Sequence, residues 1–276
     1  MRIHHLDCTT MCPLGGPLVD APGSLLARGR MVCHCLLIET PSSGLVLVDT
    51  GFGLDDMRDP IRRMGRMFVS LTSPKLDRAQ AAISQVEALG FQRSDVQHIL
   101  LTHMDLDHAG GLADFPKARV HVMQDELDEA LDPKGIGSRE RYKSAQWAHG
   151  PLWSPHTPSA GERWFGFECA RGLEGLPPEI LMVPLSGHSR GHAAIAVQSG
   201  GMWNLHCGDA YFHHGEMEPN YRCPAGFKAF QRIVAYDDGL RRTNQGRLRE
   251  LVRAHGREAR VFCAHDATEL GRAIES

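Results

Sequence analysis

Four side chains able to ligate a divalent cation fall within six residues of this 276-residue chain: His103, Asp105, Asp107 and His108. They lie in Thr102-His103-Met104-Asp105-Leu106-Asp107-His108-Ala109-Gly110-Gly111, directly after the run Val96–Leu101. Imidazole and carboxylate groups occupy the repeating positions, so the pattern serves ligation rather than packing. The glycine pair lets the backbone turn tightly beside a metal. Three single residues later in the chain carry the same chemistry: His188 in Pro184-Leu185-Ser186-Gly187-His188, Asp209 in His206-Cys207-Gly208-Asp209, and His265 in Phe262-Cys263-Ala264-His265. Each follows a short apolar, β-like run, at Ile180–Leu185, Met202–Leu205 and Ala259–Ala264. Loops at strand ends suit such residues, because the sheet fixes the backbone while the loop frees the side chain. The seven residues read as a two-metal site; the bland alternative for the cluster is a solvated polar loop.

Order and context here resemble the metallo-β-lactamase superfamily, whose signature is His-x-His-x-Asp-His followed by a lone His, a lone Asp and a lone His. Leu47-Val48-Asp49-Thr50-Gly51 looks like that family's early strand ending in an Asp. The opening Met1-Arg2-Ile3-His4-His5-Leu6-Asp7-Cys8 and the Gly-His-x-x-Gly-His stretch at 187–192 look most like the N-acyl-homoserine lactonase branch. The resemblance implies an α/β fold, a four-layer αββα sandwich, as one domain over 1–276. It also implies a metal-dependent hydrolase holding two divalent ions, zinc or alternatively manganese or iron. His103, His188 and residue 105 would hold metal one; Asp107, His108 and His265 would hold metal two; Asp209 would bridge them.

Asp105 departs from the signature, which has histidine there. A carboxylate still ligates zinc, manganese or iron. Counting two dications, Asp107, Asp209 and one hydroxide, the centre is formally +1 without Asp105 and neutral with it. That predicts a less acidified water and a gain for metals that favour hard ligands. Asp is also shorter than His, so the reach to metal one is open, and Asp105 reads either as a ligand or as a group that hydrogen-bonds one.

A hydroxide bridging the metals is the expected nucleophile, with Asp107 orienting it and passing a proton to the leaving alkoxide. Tyr211 is a candidate oxyanion donor, although it comes only two residues after Asp209, closer than in lactonases of this type. The alternative is that Tyr211 is a plain core or loop residue. Asp49 and Asp266 read as groups that orient ligands. His192, His4, His5, His213 and His214 read as structural. The substrate expected is a lactone or related ester. A phosphodiester or phosphotriester is the first rival, left open by Arg62, Arg63 and Arg66 as a phosphate clamp. A di-iron redox protein is the rival of another class, because flavo-di-iron proteins also carry a carboxylate at the second position.

Stepwise along the chain, Val32–Glu39, Gly44–Asp49, Val96–Thr102 and Arg119–Met123 read as strands, and Arg78–Leu89 and Leu248–Ala254 as helices. The acidic run Gln124–Asp132 reads as a solvated helix face. Two segments look like insertions forming lids or walls. Near 53–74 they carry Met57, Met64 and Met67 with several Arg; near 133–178 they carry Trp147, Trp153, Trp164, Phe165 and Phe167. Met67 and Trp153 are the candidate substrate contacts; the same residue types suit a homodimer contact.

Composition bounds the rest. With 42% hydrophobic and 23% charged residues, the chain is ordinary for a globular protein. A formal net charge of −3 gives no general attraction to nucleic acid or anionic membrane, leaving a small-molecule substrate as the partner. No apolar leader or membrane-length apolar run is visible, and eight Cys read as reduced, buried thiols, which together point to the cytoplasm.

Overall fold

The first sheet orders its strands as they occur in the chain: β1 (Arg2–Asp7), β2 (His34–Glu39), β3 (Leu45–Val48), β4 (Val96–Leu100), β5 (Arg119–Met123) and β6 (Leu152–His156). In this computed structural model, residues 1–157, 163–169 and 173–275 are described. β1, β2 and β3 pair antiparallel, whereas β3 through β6 pair parallel. A small hairpin of β7 (Arg163–Trp164) and β8 (Phe167–Glu168) precedes the second sheet. That sheet contains β9 (Ile180–Pro184), β10 (Ala193–Ser199), β11 (Met202–His206) and β12 (Ala259–Phe262), in the order β12-β11-β10-β9.

β3 and β9 are apolar at nearly every position because both faces of each sheet are covered there, whereas β1 carries Arg2, His4, His5 and Asp7. Successive side chains point to opposite faces, so one strand feeds two cores. Leu36, Ile38, Val46, Val48 and Leu100 pack with Ile180, Met182, Ile195 and Val197 between the sheets. The alternate residues Leu37, Leu47 and Ile99 pack on the other side with Ile83 and Val86 of the helix Ala82–Ala88. Leu181, Val183, Ala194 and Ala196 likewise meet Leu248 and Leu251 of the helix Asp238–His255. Three buried clusters therefore separate four layers, the αββα sandwich. Each Leu, Ile or Val so buried contributes roughly 1.5–3 kcal/mol.

The helices run α1 (Leu54–Arg58), α2 (Pro60–Met64), α3 (Arg66–Thr72), α4 (Ala82–Ala88), α5 (Leu106–Ala109), α6 (Gln124–Leu131), α7 (Gly135–Arg141), α8 (Ala225–Val234), α9 (Asp238–His255) and α10 (Ala267–Ile274). The segment near 53–74 thus folds as three short helices. It is tied to the segment near 133–178 by Arg63, which is buried, donates to Asp56 Oδ1 at 2.8 Å and donates to Gln146 Oε1 at 2.8 Å. The acidic run presents Asp125, Asp128 and Asp132 to solvent, as its reading as a solvated face expects, but departs from that reading at one residue. Glu126, in the first turn of α6, is fully buried. It accepts hydrogen bonds from the Met104 amide, Tyr142 Oη, Ser189 Oγ and the Gly191 amide, at 2.7 to 3.0 Å. Among the described residues, no helix is long and apolar enough to cross a membrane.

Candidate metal centre

Every candidate ligand follows the C-terminal end of a strand. His103 lies in the loop leaving β4, and Asp107 and His108 lie on α5 immediately after it. His188 sits in the turn from β9 to β10, Asp209 in the turn after β11, and His265 between β12 and α10. The glycines beside them serve close backbone contact. A Cβ at Gly110 would meet Gly51 O at 2.8 Å and Asp56 Oδ2 at 2.2 Å; one at Gly191 would meet the Glu126 amide at 2.2 Å. Gly110 and Gly111 therefore allow the motif to press on the loop after β3, and they do so at ordinary φ rather than through a left-handed turn.

The side chains converge as two groups. In the first, His188 Nε2 lies 3.1 Å from Asp105 Oδ2 and 3.4 Å from Asp209 Oδ2, and His103 Nε2 lies 3.4 Å from Asp105 Oδ2. In the second, Asp209 Oδ1 lies 3.0 Å from His265 Nε2 and 3.3 Å from His108 Nε2, with Asp107 Oδ2 3.4 Å from His265 Nε2. Asp209 stands between the groups: Oδ1 faces the second, and Oδ2 faces the first while also lying 3.3 Å from His265 Nε2. All seven sequence candidates are thus brought together. Cys33 Sγ also falls within 4.8 Å of ligand atoms of Asp107 and His265, a neighbour that its position in the sequence did not suggest.

These groups fit a pair of cations. His103 Nε2, His108 Nε2 and Asp209 Oδ1 are buried without any hydrogen-bond partner, a cost of about 1–3 kcal/mol each unless a cation is there. The other ring nitrogens are occupied in a way that leaves Nε2 bare. His108 Nδ1 donates to Asp49 Oδ2 at 2.8 Å, His265 Nδ1 donates to the Val32 carbonyl at 2.8 Å, and His103 Nδ1 lies 3.0 Å from Thr102 Oγ1. His192 donates from Nδ1 to the Leu185 carbonyl at 3.1 Å and accepts the Asp209 amide at Nε2 at 2.9 Å, so it positions Asp209 rather than ligating.

The electrostatics match. Burial opposes the charge on Asp209, but His265, His108 and His188 hold its carboxyl well below the usual carboxylate range. Burial and the nearby Arg141 push His188 down to about 4, leaving it neutral and ready to ligate. Burial disfavours a charged His108, yet Asp209, Asp107 and Asp49 raise it well above an ordinary histidine.

Three sequence-based roles differ from what the geometry supports. Tyr211 is fully buried, and its hydroxyl donates to Glu269 at 2.9 Å, so its single proton is committed away from a developing oxyanion. Asp266 caps α10 through the Glu269 amide and holds His214, rather than orienting a ligand. Met67 is 64% exposed on α3, and Trp153 packs from the edge strand β6 into the cluster under the first sheet. Neither lines either of two neighbouring cavities, of which the smaller reaches the centre at His265. One of about 100 Å³ is bordered by Asp20, Arg30, Phe212, Phe227 and His265. A larger one of about 770 Å³ shares Asp20 and His213 with it.

Comparison with known proteins agrees with this fold. The family model described as the metallo-beta-lactamase superfamily matches residues 28–221. A probable metallo-hydrolase of Mycobacterium tuberculosis is 43% identical over 266 residues, 96% of this chain and 80% of that protein. An N-acyl homoserine lactonase of Bacillus thuringiensis is 25% identical over 178 residues, 64% of this chain and 62% of that protein. A solved N-acyl homoserine lactone hydrolase, with N-hexanoyl-L-homoserine at its catalytic metal centre, superposes with TM-score 0.72 at 20% identity. It covers 98% of this chain and 95% of that one.

Proposed function

Because the chain belongs to the metallo-beta-lactamase superfamily and is a metallohydrolase, we propose that it hydrolyses a lactone or related ester at a two-metal centre. The ligands are His103, Asp105, His188 and Asp209 on one side and Asp107, His108, His265 and Asp209 on the other. The observation that carries this reading is Asp209, whose carboxylate stands between the two groups: Oδ2 is 3.4 Å from His188 Nε2, and Oδ1 is 3.0 Å from His265 Nε2 and 3.3 Å from His108 Nε2. Zinc suits the imidazole-rich set, and the carboxylates also accept manganese or iron.

Two divalent ions held by these residues would supply Lewis acidity, lowering the pKa of a bound water and polarising the carbonyl under attack. The protein's own groups do the rest. Asp107 Oδ2, beside His265, accepts a hydrogen bond from the attacking water and later passes its proton to the departing alkoxide oxygen. Phe212 packs edge-on against His265 at 5.1 Å between ring centres and shields that side from solvent. Phe212 and Phe227 border the small cavity at His265 and form the apolar wall for the substrate, in place of Met67 and Trp153.

The lactone reading draws on the lactonases among the relatives. The phosphoester rival keeps only part of its clamp: Arg63 is committed to Asp56 and Gln146 and Arg62 pairs with Asp59, which leaves the exposed Arg66. The test is a panel of lactones, aryl esters and phosphodiesters assayed with native, chelator-stripped and metal-restored protein. Lactone hydrolysis lost on stripping and regained with metal is expected. Phosphodiester turnover exceeding lactone turnover would overturn the assignment of substrate class.

A further inference from the structure

Asp105 has two oxygens with two different neighbours. Oδ2 faces His103 and His188, the ligand side. Oδ1 lies 3.0 Å from Arg141 Nε, and the pair is largely enclosed, with side-chain exposures of 18% and 16%. The contact is an ion pair and not an aligned hydrogen bond, since Oδ1 has no hydrogen-bond partner. The same guanidinium donates from Nη1 to the His188 carbonyl at 2.8 Å and from Nη2 to the Val234 carbonyl at 2.7 Å. Arg141 is the last residue of α7, so the segment near 133–178 reaches the centre through it.

From this we propose that Arg141 is a positioning residue for metal one, holding Asp105 and His188 in ligating register and supplying the positive charge that a carboxylate at position 105 cancels. The proposal rests on the two-metal reading above. With Asp105 counted, the formal charge of the centre falls to zero; Arg141 returns it to +1. A histidine at 105 needs no such partner, whereas an aspartate beside buried imidazoles does. Arg141 is also the right residue type, because it stays charged when enclosed and its planar fork serves several acceptors at once. The next residue completes the clamp. Tyr142 donates to Glu126, which holds the Met104 amide between two ligands and the Ser189 hydroxyl beside a third.

Charge balance makes positions 105 and 141 interdependent, and a double-mutant cycle measures that. Metal-stripped wild type, Asp105→His, Arg141→Leu and the double variant are titrated with Co²⁺, reading stoichiometry by calorimetry and ligand geometry by the visible d–d bands. Asp105→His alone strands an enclosed guanidinium beside a dication. It is expected to weaken one of the two metals roughly 10-fold or more. The double variant is expected to regain most of that loss. A double variant no better than Asp105→His, or an Asp105→His protein binding both metals as wild type does, would overturn the proposal. Should those variants fail to fold, Arg141→Lys takes their place, since it keeps the charge and loses the fork. Its Co²⁺ bands are expected to change for one equivalent of metal, and unchanged bands overturn the positioning role. Wild type taking up no Co²⁺ fails the two-metal reading itself, which distinguishes the two failures.

Discussion

Asp49 Oδ2 lies 2.8 Å from His108 Nδ1, while Asp49 Oδ1 accepts the Thr102 amide at 2.8 Å. One carboxylate thus links the end of β3 to the loop leaving β4 and fixes the His108 ring, which is proposed to hold metal two. Asp49 takes a left-handed backbone, φ 55°, which Asp tolerates better than most residues. Burial opposes its charge, but His108 beside it holds the carboxyl below its ordinary range. Asp49→Asn keeps the shape and removes the charge. It is expected to weaken metal two about 10–100-fold while metal one stays bound. Metal content after dialysis against a graded chelator series measures this, and equal retention at both sites would contradict it.

Asp107 shares the second group with His108 and His265 and is proposed to handle the proton of the attacking water. Asp107→Asn keeps a possible oxygen ligand and removes the base. We expect kcat to drop about 10²–10⁴-fold, with KM moving far less. Steady-state kinetics with metal content measured in parallel decide the matter. A rise in KM at constant kcat would move Asp107 from proton transfer to binding.

Tyr211 offers the opposite case. Its ring belongs to the cluster between the second sheet and α9, and its hydroxyl serves Glu269. Tyr211→Phe is therefore expected to leave kcat/KM within about threefold and to lower stability by about 1–3 kcal/mol. A fall of a hundredfold in kcat with unchanged melting would restore it as the oxyanion donor.

The candidate ligands were legible because imidazoles and carboxylates at fixed spacing after apolar runs have no role in packing: His103, Asp105, Asp107, His108, His188, Asp209 and His265 all meet. Strands β5, β9 and β11 were legible for the related reason that doubly covered strands read as continuous apolar runs. β1, with Arg2, His4, His5 and Asp7, and the Ala-rich β10 carry too little of that signal. Glu126 was hidden because acidic neighbours surround it in the run, and only the fold decides which one turns inward. Arg141 was hidden by distance, since it meets Asp105 across 36 residues of chain. The one available hint was Asp105 itself, an additional negative charge in need of a counter-charge. Tyr211 misled because spacing from Asp209 says nothing about which way a turn sends its side chain.

Phe227 supplies a test of the proposed apolar wall. It borders the small cavity at His265, and its ring centre is 6.5 Å from that of Phe212. Phe227→Ala should raise KM for lactones with long acyl tails more than for compact ones, by about 10-fold or more, with kcat for compact substrates nearly unchanged. Equal effects across tail lengths would assign Phe227 to packing alone.

Glu269 gives the fold a pH dependence separate from the metals. It lies on α10, accepts the Cys263 amide at 2.8 Å, and is pushed up to about 8, chiefly by burial and then by nearby Asp266. Its folded value therefore exceeds its ordinary value of 4.5. Below about 4.5 both folded and unfolded chains hold the proton, and the favourable contribution is complete. Between about 4.5 and 8 only the folded chain holds it, so stability falls as pH rises through that window and levels off above it. The loss amounts to a few kcal/mol at order of magnitude. Glu269→Gln keeps an acceptor for Tyr211 and the Cys263 amide and cannot ionise. Metal-loaded wild type is expected to lose more stability than Glu269→Gln between pH 5 and pH 9, read by chemical denaturation at each pH. Parallel pH profiles for the two proteins would mean that Glu269 is ionised in the folded chain and that burial does not control it.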